Sequence, residues 1–121
     1  MMTYFILISR VGLADKWYPY QESLRVPLII KDPRMLPNKI GTLNNKYTLN
    51  IDLAPTMLSA AGIQIPKRMQ GKDISTLYTK KYTKNWRKQF FYEFHAINKL
   101  ERWIPTSQAL VQRRFKYVLW P

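Results

Sequence analysis

At 121 residues, 46% hydrophobic and 14% aromatic, the chain is one domain or a piece of one, and its composition excludes intrinsic disorder. Twenty Lys and Arg against seven Asp and Glu give a formal charge of +13, a field that draws nucleic acid, anionic lipid or sulfated glycan without choosing among them. Zero cysteines exclude disulfides and thiolate metal sites, and no apolar window reaches the length of a membrane-spanning helix.

In chain order, the opening Met1 to Ile8 is apolar but brief. It lacks a basic leader and a small-residue cleavage site, so it reads as a buried strand and a poor signal peptide. The segment from Gly12 carries Asp15, Lys16, Trp17, Tyr18 and Tyr20, then Glu22, Arg25 and the run Val26-Pro-Leu-Ile-Ile30. That continuous apolar run predicts a strand buried on both faces of a parallel sheet, beginning beyond Pro27, which has no donor for a ladder. Asp32-Pro33-Arg34 ends it, and a polar connection follows with turn signals at Pro37-Asn38, Gly41 and Asn44-Asn45.

Thr48 to Ala61 predicts a helix. Leu49, Leu53, Met57 and Ala61 share one face, with Ala54 and Leu58 beside them. Asp52 can cap its start, Pro55 falls in the first turn and Gly62 closes the end. Ile65-Pro66 turns the chain, Met69-Gln70-Gly71-Lys72-Asp73-Ile74-Ser75 precedes a short helix, and Lys80 to Lys88 reads as an exposed basic linker or helix around Trp86. The remainder predicts antiparallel sheet: Gln89 to His95, Ala109 to Val111 and Phe115 to Leu119, with Arg113-Arg114 near the last turn. Much of the positive excess lies in Lys67 to Lys88 and Lys99 to Lys116.

Gly12 to Ile30, Asn50 to Gly62 with its Asp52-Leu-Ala-Pro55-Thr56 core, Gln70-Gly71, and Phe90-Phe-Tyr-Glu93 followed by Arg114-Phe-Lys-Tyr-Val118 resemble the C-terminal portion of the type I, formylglycine-dependent sulfatases. The nearest are the glycan sulfatases of the N-acetylglucosamine-6-sulfatase kind. The likeness runs from Gly12 to Trp120. It implies an α/β, alkaline-phosphatase-like fold, here its C-terminal part: some of the central mixed sheet plus a small antiparallel C-terminal subdomain. The corresponding division is 1–11 as a divergent or truncated start, 12–79 as the end of the catalytic domain and 80–121 as the subdomain.

The resemblance also implies chemistry. Lys16 occupies the place of the family's sulfate-contacting lysine, a positioned positive charge for the transition state. Arg25 takes the place of a residue that buttresses the active-site loop, and Glu22 stands where it can pair with Arg25 across a turn of chain, as structural support. His95 can border the substrate pocket, although Phe94 interrupts the usual Tyr-Glu-His; as a lone histidine it reads first as a half-buried strand end. Trp17, Tyr18 and Tyr20 read as packing beneath that loop, with a sugar-stacking shelf as the other reading.

The family's nucleophile comes from a Cys/Ser-x-Pro-x-Arg motif, and Ser9, Ser23, Ser59, Ser75 and Ser107 all fail that pattern. The family's calcium takes ligands from an Asp-Asn pair just before this segment, where the chain has Tyr4 to Val11. Val11 and Arg10 also replace the His and Glu expected there. Two readings fit: a preceding strand whose ligand loop is deleted, or an unrelated or frame-shifted start. Asp15, Glu22 and Asp32 stand in no ligand-like spacing, so the chain itself offers no metal site and calcium belongs to the intact family.

The resulting expectation is a sulfatase-family fragment, inactive alone, whose intact relatives act on sulfated glycans and are commonly periplasmic or extracellular. A missing N-terminal fragment is a possible partner, and no export signal is visible. A non-catalytic module for anionic glycans is the alternative. A nucleic-acid binder ranks last, since no recognised RNA- or DNA-reading motif is present.

Overall fold

The computed structural model describes residues 18–95, 97–99 and 102–121. The strand expected over Met1 to Ile8, and Lys16 itself, lie outside them. The chain forms two compact units: Lys31–Arg87, and the described residues on either side of it.

In the Lys31–Arg87 unit, short 3-10 turns at Pro37–Lys39 and Asn50–Asp52 precede helix α2, Leu53–Ala60, and helix α3, Thr76–Thr79; helix α1, Gln21–Leu24, belongs to the other unit. The end of α2 follows the expected chemistry. Gly62 adopts φ 72°, the Gly62 N–H bonds Ser59 O at 3.2 Å and the Ile63 N–H bonds Leu58 O at 2.9 Å. These are the paired bonds of a Schellman cap, satisfying carbonyls the helix leaves open.

The expected apolar face of α2 is not the face that is buried. Met57 and Ala61 are exposed, while Asp52 and Pro55 are buried and Thr56 and Ser59 half-buried. The inner stripe is polar because the helix packs on the extended backbone of residues 71–74, whose N–H groups need acceptors. The Ile74 N–H bonds Thr56 Oγ1 at 2.9 Å, and Ser59 Oγ donates to Asp73 Oδ2 at 2.7 Å. Gly71 is required by the same contact, since a Cβ there would sit 1.9 Å from Ile51 O. Ile74, Leu77, Tyr78 and Trp86 complete the buried apolar side chains of this unit.

Trp86 corrects the reading of Lys80 to Lys88 as exposed linker or helix. The segment has no regular structure, and Trp86 is only 8% exposed, its indole N–H donating to Tyr47 O at 2.7 Å.

In the second unit, strands β1, Gln89–Phe94, β4, Ser107–Gln112, and β5, Lys116–Leu119, form an antiparallel sheet in the order β1-β4-β5. Strands β2, Ile97–Lys99, and β3, Arg102–Ile104, pair as a separate antiparallel hairpin that the sequence reading missed. Register sets Phe90 opposite Val111 and Tyr92 opposite Ala109, and Ala109 opposite Val118. Ser107, Ala109 and Val111 are buried along one face.

Val26 to Ile30 forms no strand among the described residues, and Ile29 is 79% exposed. A β-branched run becomes a strand only when a neighbour supplies ladder hydrogen bonds; none of the described residues pairs with it.

Candidate functional site

Of the sequence-predicted site residues, Lys16 lies outside the described residues, and Glu22, Arg25 and His95 are described. Glu22 stands in α1 and Arg25 closes it, with the Arg25 N–H on Gln21 O at 2.8 Å; both are exposed. No ion pair joins them among the described residues. His95 follows β1 with its side chain 82% exposed and Nε2 3.9 Å from Glu93 Oε2, so it is a strand-end histidine but not a half-buried one. A histidine at the end of an edge strand, beyond the last ladder pair Phe94–Ser107, has nothing laid over it. The structure does not bring Glu22, Arg25 and His95 into contact with one another.

What the structure does show is how the chain just after Lys16 is held. The Tyr18 ring lies 5.8 Å from that of Tyr20 and 5.9 Å from that of Trp120. Pro19 is buried, and Lys116 Nζ donates to its carbonyl oxygen at 2.6 Å. The aromatics pack at offset-contact distances, and a charge-assisted bond from β5 fixes the backbone between them. Tyr18 is half-buried between them, while Tyr20 and Trp120 each leave close to half their surface open; Trp17 lies outside the described residues. Trp120 and Lys116 were not singled out from the sequence, because a contact spanning 97 residues leaves no local pattern.

The Lys31–Arg87 unit holds a wholly buried carboxylate, Asp52, which is 0% exposed. Its Oδ1 accepts the Lys72 N–H at 2.7 Å and Arg87 Nη2 at 2.7 Å; its Oδ2 accepts the Leu49 N–H at 2.7 Å and Arg87 Nη1. Burial pushes this carboxyl up, but the Arg87 guanidinium and the two N–H donors outweigh it, so the group is held below the usual carboxylate range. The expected cap is thus corrected: Asp52 reaches back to Leu49 and across to Lys72 instead of capping its own helix.

A second clasp joins Asp32, Arg34 and Tyr78. Arg34 Nη2 donates to Asp32 Oδ2 at 2.6 Å, and Tyr78 Oη donates to the same oxygen at 2.9 Å. Hydrogen bonding from Arg34 holds Asp32 well below the carboxylate range, while burial and then Asp32 push the Tyr78 phenol up to about 12. All these carboxylates are committed to scaffold bonds. Among the described residues no three His, Cys, Asp or Glu gather as a metal site, and no helix is long and apolar enough to cross a membrane.

Two motifs that stand 20 residues apart, Asp52-Leu-Ala-Pro55-Thr56 and Gln70-Gly71-Lys72, are therefore halves of one hydrogen-bonded node. The pairing accounts for the presence of both motifs in one chain. The family model described as "N-sulphoglucosamine sulphohydrolase, C-terminal" matches residues 10–120.

Among curated relatives, the chain is 34% identical over 86 residues to the N-acetylglucosamine-6-O-sulfatase of Bacteroides thetaiotaomicron, covering 69% of this chain and 15% of that protein. It is 31% identical over 109 residues to the "Extracellular sulfatase SULF-1 homolog" of Drosophila melanogaster, covering 87% of this chain and 10% of that protein. It is 30% identical over 83 residues to the human N-acetylglucosamine-6-sulfatase, covering 68% of this chain and 14% of that protein. The chain spans less than a fifth of the length of these relatives. With nearly every residue inside the matched region, this chain belongs to the sulfatase family and carries its C-terminal domain.

Proposed function

We propose that this chain is the C-terminal part of an enzyme that hydrolyses sulfate esters of glycans. In this reading Lys16 neutralises charge on the sulfate in the transition state, Glu22 and Arg25 support the loop that presents it, and His95 borders the sugar. The observation that carries the proposal is the match over residues 10–120, which includes the Lys16 segment together with both motifs of the Asp52 node. The sugar-sulfatase names of the bacterial and human relatives support a glycan substrate.

The sequence lacks the Cys/Ser-x-Pro-x-Arg nucleophile motif, and Asp15, Glu22 and Asp32 stand in no ligand-like spacing. Nucleophile and calcium are accordingly assigned to the remainder of the enzyme, and the 121 residues alone are inactive in this reading. The test is a chimera in which residues 12–120 replace the matching segment of the B. thetaiotaomicron sulfatase. Release of sulfate from N-acetylglucosamine 6-sulfate by the chimera, and none by the isolated chain with calcium, is the expected result. A folded chimera with no activity, or sulfate release by the isolated chain, contradicts it.

A further inference from the structure

The loop between α3 and β1, with Lys72 and Asp73, lines a shallow, open cleft of about 590 Å³ in the Lys31–Arg87 unit. Lys72, Lys80 and Lys84 line it, with Tyr82, Asn85 and Trp86. Its carboxylate, Asp73, is already occupied: Oδ2 accepts from Ser59 Oγ and Ser75 Oγ at 2.7 and 2.8 Å, and Oδ1 accepts the Ser75 N–H at 2.8 Å. Lys80 and Lys84 make no ion pair among the described residues. Three lysines thus line a cleft whose acid is hydrogen-bonded inward, leaving it a positive lining that attracts anions.

The wall is preformed. Thr83 Oγ1 donates to Thr76 O at 2.7 Å, Lys72 Nζ donates to Asn85 O at 3.2 Å, and Trp86 is pinned through Tyr47 O. Asn85 takes the left-handed φ of 58°, a conformation Asn tolerates better than most residues, at the point where its carbonyl meets Lys72.

We propose that this cleft is a non-catalytic binding site for an anionic unit of a sulfated oligosaccharide, separate from the Lys16 segment; the choice of glycan rests on the sulfatase reading above. Lys80 and Lys84 bind the sulfate or carboxylate groups, Lys72 adds its remaining donors, and the exposed Tyr82 ring covers a sugar face. Of the two rings lining the cleft only Tyr82 is open to a ligand, since the Trp86 indole is 8% exposed and hydrogen-bonded inward. Successive bases of a single strand would therefore find one stacking platform and not two.

The test titrates the full chain with a size-defined heparin hexasaccharide and with an oligouridylate, at several salt concentrations. Lys80→Ala/Lys84→Ala is compared with Lys67→Ala/Arg68→Ala, which removes two exposed charges outside the cleft, and with Lys80→Arg/Lys84→Arg. The cleft pair is expected to weaken hexasaccharide binding about tenfold or more, the control pair about twofold, and the arginine pair little. Equal weakening by both alanine pairs, no hexasaccharide binding by the parent chain, or tighter cleft-dependent binding of the oligouridylate overturns the proposal. Catalysis plays no part in this readout. An inactive chimera with cleft-dependent binding thus counts against the sulfatase reading alone, and an active chimera with no cleft dependence counts against the cleft alone.

Discussion

Asp52 remains ionised while wholly buried because its two oxygens receive four donors, two of them from Arg87. Removing the carboxylate in Asp52→Ala strands the Arg87 guanidinium and two backbone N–H groups, and is expected to cost about 3–5 kcal/mol of stability, read from urea unfolding at neutral pH. The pH dependence has a definite sign. A carboxyl held below its ordinary value of 3.8 stabilises the fold above that value, and the contribution is lost as pH falls through the depressed one. Asp32 acts in the same direction. Unfolding midpoints should therefore be flat from pH 7 to about 5 and drop below about 4; in Asp52→Asn the acid drop should be smaller. A variant that keeps the full acid drop would place its origin elsewhere. Gly71 tests the same node through space: a Cβ 1.9 Å from Ile51 O forces the backbones apart. Gly71→Ala should lose roughly 1–3 kcal/mol or more, whereas Ala at exposed Gly41, where φ is 72° and no atom lies within 4 Å of the added carbon, should lose only the smaller backbone strain.

At the scale of elements, what could be read from sequence was what is decided locally. The turn at Arg113-Arg114 and the glycine closing α2 each need only their own neighbours, and each appears where the pattern puts it. Val26 to Ile30 has the composition of a central strand, but a strand is a pairwise object, and no partner stands among the described residues. The inner face of α2 was misread for a similar reason. Its polar stripe is explained only by the N–H groups of residues 72 and 74, which periodicity cannot reveal. Asp73 accepts three hydrogen bonds and orders the approach to α3, a role that no local pattern announces. Of the candidate site, the Lys16 segment was legible as a motif. Its support by Lys116 and Trp120 was not, since both come from the far end of the chain.

Across the molecule, apolar surface is left open. Phe91, Leu110 and Tyr117 stand opposite one another in register across β1, β4 and β5 and are all exposed, and Val26, Leu28 and Ile29 are exposed as well. Stripes of this kind on edge-bearing sheets promote association. The isolated chain is expected to self-associate with rising concentration in sedimentation velocity, and Leu110→Lys to shift it toward monomer without a loss of secondary structure. A monodisperse parent chain at all concentrations runs against this expectation.

The central claim is that this chain supplies the sulfate-contacting lysine of a sulfatase, and steady-state kinetics of the chimera with Lys16→Ala test it most directly. The account predicts a fall in kcat/KM for N-acetylglucosamine 6-sulfate of roughly 10²–10³-fold, the size of effect seen when one positioned transition-state contact is removed, with the melting temperature unchanged. A kcat/KM within about twofold of the parent chimera, well inside the range of one weak exposed charge contact, contradicts it.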